Sequence, residues 1–152
     1  MSAAADPLDA QQLAERVAST MFARDRASQG LGMQIVRVGA GEAELTMRVR
    51  ADMVNGHAIC HGGFVFALAD STFAFACNSH NASTVAQGCA IDYLAPAREG
   101  DVLRAVGRER SRTGRTGVYD IEVRNQRGET IALFRGKSYR VKGSVLDDVP
   151  AA

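Results

Sequence analysis

The sequence predicts an α+β domain in which an antiparallel sheet of about six strands wraps around one long central helix, with a further helix at the N-terminal side. Three observations carry that expectation. Residues 64–77 place apolar side chains on every side of a helix, the mark of a helix enclosed by the rest of its domain. Four strand-like segments follow it with no helix between them, joined by short, turn-rich links that suit antiparallel neighbours. Residues 43–49 and 117–123 alternate apolar with polar side chains, the period of a sheet with one wet face. A doubly wound parallel fold would need helices between the later strands and does not fit.

Taken in order, residues 1–8 form an Ala-, Asp- and Pro-containing end that is expected to be loose. Residues 9–24 read as an amphipathic helix, with Leu13, Val17, Met21 and Phe22 on one face and Gln12, Glu15 and Arg16 elsewhere. Gly30 and Gly32 close that region. A first strand over 33–38 and a second over 43–49 are joined by the turn Gly39-Ala40-Gly41-Glu42. A loop over 51–61 leads to Gly62-Gly63 and the long apolar helix, which ends near Asn78. Strands are expected at 84–94, 102–110, 117–123 and 130–141, with turn chemistry at 96–101, 113–115 and 125–128. The organisation is then an N-terminal helix and flexible end (1–29), one domain (30–142) and a flexible tail (143–152).

Composition excludes several classes. The 152 residues suffice for one domain's core, and a net charge of +1 gives no global case for nucleic acid or an anionic membrane as partner. The apolar run is interrupted by Asp70, Ser71 and Thr72 and is shorter than the roughly 20 residues a membrane span needs. Three cysteines without framework spacing point to a reducing compartment, and the acidic, polar start is not that of a signal peptide, so a cytoplasmic protein is expected. No Walker loop, nucleophile elbow or dinucleotide fingerprint is present, and no cofactor is expected.

Asp70 is the residue to explain. It is the only charge between His61 and His80, eight positions into the apolar helix, where an ionised carboxylate is costly and desolvation raises its pKa. It either makes a structural bond to Ser71, Thr72 or a nearby loop, or does chemistry. Gly62 and Gly63 open the same helix, where free N–H groups and the positive dipole end gather; they either shape a turn or hold a developing oxyanion. The two features stand roughly 12 Å apart along the axis at 1.5 Å per residue. Groups serving one carbonyl must lie within about 3–3.5 Å of its reacting atoms. One chain can hardly bring both to one bond, whereas two copies about a two-fold axis can, so at least a dimer with shared sites is expected.

Other constellations compete less well. His57, Cys60 and His61 lack a fourth ligand at familiar spacing, so no metal is expected there, and Cys60 beside His61 has only sequence adjacency to suggest a thiol nucleophile. Asn55 and His61 either position water and the reacting group or satisfy loop backbone. The densest positive stretch runs over 108–115; Arg112 and Arg115 in it either cap a solvated hairpin or meet a phosphate-bearing ligand such as coenzyme A.

The stretch Asn55-Gly56-His57-Ala58-Ile59-Cys60-His61-Gly62-Gly63-Phe64-Val65-Phe66-Ala67-Leu68-Ala69-Asp70 resembles the signature of the hotdog-fold thioesterases, and most closely their phenylacetate-degradation (PaaI) type. The similarity continues through Phe75-Ala76-Cys77-Asn78-Ser79, Ile91-Asp92-Tyr93-Leu94, residues 116–122 and residues 132–138. The resemblance implies the hotdog fold, dimers paired into a homotetramer, and hydrolysis of aryl-acyl-CoA thioesters such as phenylacetyl- or hydroxyphenylacetyl-CoA. It assigns Asp70 as the catalytic carboxylate, Gly62 as the backbone N–H that polarises the carbonyl, and Asn55 and His61 as a supporting polar pair. Gly63, Arg112 and Arg115 are expected to bind substrate. Where some relatives carry a serine on the strand after the helix, this chain has Ala86. Water activation and direct carboxylate attack to an acyl anhydride both fit these residues. The rival readings are an acyl-CoA dehydratase or hydratase of the same fold, a non-catalytic acyl-CoA binder, and a structural dimer module.

Overall fold

The structure is a computed structural model that describes residues 6–152; the expectation of a loose end at residues 1–5 lies outside the described residues. Helix α1 (Ala10–Arg24) starts at Asp9. The Asp9 carboxylate accepts the Gln12 N–H at 2.7 Å and the Gln12 side chain accepts the Asp9 N–H at 3.0 Å, a reciprocal cap. A short helix α2 (Arg26–Gly30), capped by Asp25, follows at once. The sequence reading contains no such element, because five residues are too few to show a helical period.

Strands β1 (Gln34–Gly39) and β2 (Glu42–Arg48) form the first hairpin, and a 3-10 turn at Ala51–Met53 begins the long loop to α3 (Gly62–Asn78). Strands β3 (Ala82–Tyr93), β4 (Val102–Thr113), β5 (Thr116–Arg124) and β6 (Thr130–Ser144) complete one six-stranded sheet. Its order is β1-β2-β4-β5-β6-β3, antiparallel throughout. The expected α+β fold is therefore present. Strands β4 and β6 run longer than expected because their ladders continue where the side chains on both faces are polar, and backbone pairing leaves no alternation to read there.

Helix α3 lies on the concave face of the sheet. Its Phe73 ring rests on Gly136 of β6, where an added Cβ would stand 2.8 Å from three ring atoms, so the close approach of helix to strand requires glycine. Leu45, Met47, Leu68, Phe75, Leu103 and Ile121 are fully buried around this contact.

The helix is not enclosed on every side, which corrects the sequence reading. Val65, Leu68, Ala69, Thr72, Phe73 and Ala76 face the core, while Phe66, Ala67, Asp70 and Ala74 follow one another at helical spacing on a half-open stripe. One sheet can cover only one side of a helix, so an apolar periphery in a single chain leaves a stripe for something else to cover.

The last residues, read from sequence as a tail, lie against α1. Leu146 is buried with Leu13 and Val17, Asn81 accepts the Leu146 N–H at 2.7 Å, and Arg16 meets Asp148 at 2.6 Å. At the β6 side of the sheet, β3 is an edge strand twelve residues long, with Val85, Tyr93 and the following Leu94 exposed, no Lys or Pro along it, and its ladder to β6 interrupted at 82–84 and 86–88. Such an edge is a template for a further strand.

Candidate active site

The first turn of α3 is defined by four polar groups. His61 is the N-cap, and its Nδ1 accepts the Gly63 N–H at 2.9 Å, which puts the ring proton on Nε2. The His61 carbonyl accepts the Phe64 N–H at 3.0 Å. The Gly62 carbonyl accepts the Tyr93 hydroxyl at 3.0 Å. The Gly62 N–H alone has no partner among the described residues. It is a free donor at the positive end of a 17-residue helix.

The loop before it is fixed by its own bonds. Asn55 Oδ1 accepts the His57 N–H at 2.9 Å and the Ile59 N–H at 3.4 Å, and the Cys60 N–H reaches the Ala97 carbonyl at 2.7 Å. Asn55 and His61 thus each accept backbone N–H groups, of the loop and of the helix entry respectively. Gly63, expected to bind substrate, has its N–H turned to His61. Beside the free Gly62 N–H lies a cleft of about 570 Å³, walled by Asn55, Ile59, Val65, Tyr93, Leu94 and Ile131. Tyr93 was not singled out as a site residue in the sequence; its role shows only when strand β3 is laid beside the helix start.

Asp70 stands two turns along, on the half-open stripe. It accepts no hydrogen bond and joins no ion pair among the described residues, and burial pushes its carboxyl above the ordinary carboxylate range. Ser71 and Thr72 do not hold it: Ser71 meets Ser28, and Thr72 donates to the Leu68 carbonyl. Cys89 lies opposite Gly136, the residue on which Phe73 rests, so β3 flanks the stripe of Asp70 and Ala74. Burial raises the Cys77 thiol to about 12, with the Asp70 charge a lesser cause, and the same two effects raise Cys89. Ala86 sits opposite Ser138 and brings no hydroxyl of its own.

At the far end of α3, Arg112 and Arg115 line a cavity of about 260 Å³ together with His80, Thr116, Ser138 and Arg140. Behind this lining, Glu109 is bonded to two of its residues, Tyr119 and His80. Burial opposes ionisation of this carboxyl, but bonds from the Tyr119 hydroxyl at 2.8 Å and from His80 at 3.0 Å outweigh it and leave Glu109 below its usual range. Arg112 approaches Glu109 at 3.7 Å, whereas Arg115 and Arg140 join no ion pair among the described residues. Arg140 was missed in the sequence because it lies 25 residues from the basic turn and reaches it only through the β5–β6 ladder, where its N–H donates to the Arg115 carbonyl at 2.7 Å. His57, Cys60 and His61 do not form a cluster of metal-sized spacing; no group of three such side chains does among the described residues. No helix of the described chain is long and apolar enough to cross a membrane.

The arrangement contains a free amide donor beside an apolar cleft, an unpartnered carboxyl with a raised pKa, and a cationic cavity. These are the parts needed to polarise a carbonyl, to accept a proton from water, and to hold a phosphorylated leaving group. Comparison with known proteins shows what the whole chain is similar to. The thioesterase superfamily model matches residues 57–132. The acyl-coenzyme A thioesterase PaaI of Escherichia coli K12 is 48% identical over 131 residues, covering 86% of this chain and 94% of that protein. The solved structure of E. coli PaaI, from the phenylacetic acid degradation operon, superposes with a TM-score of 0.88 at 46% identity, covering 90% of this chain and 99% of that one. A Streptococcus mutans UA159 protein solved with acetyl CoA bound superposes at 0.71 with 25% identity over 74% of this chain and 90% of its own.

Proposed function

This chain belongs to the thioesterase superfamily, in its hotdog-fold PaaI type, and from that premise we propose that it hydrolyses acyl-CoA thioesters, with aryl-acyl groups of the phenylacetyl or hydroxyphenylacetyl kind as its substrates. The observation that carries the reading is the pairing, on one helix, of a free Gly62 N–H with an unpartnered Asp70 carboxyl on an open face. The thioester carbonyl oxygen accepts the Gly62 N–H, and the acyl group enters the neighbouring apolar cleft. Water attacks the carbonyl carbon while Asp70 takes its proton; the C–S bond breaks, and CoA leaves as a thiolate that regains a proton, giving free acid and CoA. The raised pKa of Asp70 makes the carboxylate a stronger base for that step. Asn55 and His61 act by holding the loop and the helix start.

The Asp70 that serves a given Gly62 belongs to a second copy. The half-open stripe of α3 and the unpaired edge of β3 support a dimer formed over both, and pairing of two dimers gives a homotetramer. The free thiols of Cys60, Cys77 and Cys89 suit the reducing cytoplasm.

A thiol-release assay over aryl and aliphatic CoA esters tests the activity: release is expected and fastest with the aryl esters, and no release from any ester overturns the reading. Arg112, Arg115 and Arg140 hold CoA phosphates. Replacing Arg115 by Ala is expected to raise KM for a CoA ester about tenfold with kcat nearly unchanged, and to leave the matching pantetheine ester unaffected. Steady-state kinetics with the two leaving groups side by side check this, and an equal loss on both would refute the assignment.

A further inference from the structure

We infer that Tyr93 is the positioning residue for the Gly62 amide, holding the oxyanion donor in place from the sheet; this rests on the reading of Gly62 as that donor. Two consecutive glycines open α3, and neither has a side chain to pin the turn. The tie comes instead from outside. The Tyr93 hydroxyl donates to the Gly62 carbonyl at 3.0 Å, and the ring fills the place a Gly62 side chain would occupy: an added Cβ would stand 3.1 Å from Cζ and 3.2 Å from the hydroxyl oxygen.

The consequences extend through both peptide units of the turn. The unit joining Gly62 and Gly63 accepts the Tyr93 hydroxyl at its carbonyl and donates at its N–H to His61 Nδ1, a chain of bonds that polarise one another. The unit joining His61 and Gly62 is held by Phe64 at its carbonyl, and its N–H is the free donor. Three of the four groups are therefore engaged so that the fourth points in a fixed direction. Tyr93 is the one partner among these that belongs to the sheet. Its backbone is anchored opposite Ala132 of β6, and the next residue, Leu94, donates to the Ile131 carbonyl at 2.8 Å. The ring remains half exposed and walls the apolar cleft, so the donor and the acyl site share one rigid support.

The test separates the hydroxyl from the ring. Tyr93→Phe is expected to speed hydrogen exchange of the Gly63 amide about fivefold, the worth of one neutral hydrogen bond. In the same variant kcat should fall roughly tenfold, with KM within about twofold and the melting temperature lowered by only a few degrees, because a misaimed donor weakens binding of the transition state more than that of the substrate. Tyr93→Ala should lose more of both. Unchanged Gly63 exchange in Tyr93→Phe overturns the inference whatever the substrate, as does an unchanged kcat on any ester the wild type cleaves. Failure of the wild type to cleave any thioester strikes the proposed function instead, and the exchange measurement still decides the role of Tyr93.

Discussion

Replacing Asp70 by Asn is expected to lower kcat by about a thousandfold or more, with little change in KM, because a positioned proton acceptor contributes on the order of 10²- to 10⁴-fold and the isosteric amide cannot replace it. The fold should survive. No hydrogen bond or ion pair is lost, since the carboxyl has no partner among the described residues. The pH dependence follows from the raised pKa. An acid whose folded pKa lies above its unfolded value favours folding while protonated, below the unfolded pKa, and that contribution is lost as pH rises through the folded value. At neutral pH the ionised Asp70 is therefore a burden, and Asp70→Asn should melt no lower than the wild type, with any gain vanishing in acid. The same shift sets the acid limb of kcat/KM above the ordinary carboxylate range. Kinetics and thermal melts across pH check both signs; near wild-type turnover in the variant would end the proposal. In a single turnover in oxygen-18 water, label should appear in the acid product and not in the Asp70 carboxyl.

What the sequence disclosed and what it withheld follow from the range over which each signal acts. The α3 apolar run, the alternation in β2 and β5 and the turn residues between strands are local patterns, and each element formed where they placed it. Asp70 and Gly62 were legible because a lone charge in an apolar helix and a glycine pair at its start are local anomalies. Tyr93 and Arg140 were not, because their significance depends on cross-strand neighbours: Tyr93 gains its meaning from a helix 31 residues earlier and Arg140 from the hairpin at Arg115. The half-open stripe of α3 was misread for a related reason. An apolar helix periphery records everything that covers it in the assembly, and sequence does not say which chain supplies the cover.

That ambiguity leads to the second large effect. An equimolar mixture of Asp70→Asn and Gly62→Pro subunits, allowed to exchange, is expected to recover about a quarter of wild-type activity although each variant alone is nearly inactive. Proline at the first helical position deletes the Gly62 N–H without breaking the helix, and the extended backbone of His61 (ψ 131°) suits a residue that precedes proline. Loss of one oxyanion donor costs about 10²- to 10³-fold in kcat. In random exchange about half the dimers are mixed, and each mixed dimer pairs an intact Asp70 from one chain with an intact Gly62 from the other at one of its two sites. The control Gly62→Ala keeps the N–H and only crowds the Tyr93 ring, so it should lose far less than Gly62→Pro. Were both groups drawn from one chain, mixing could give no more than the average of the two variants. The helix itself argues against that outcome, since a rise of 1.5 Å per residue sets the donor and the acid of one chain roughly 12 Å apart, too far to act on a single thioester carbon.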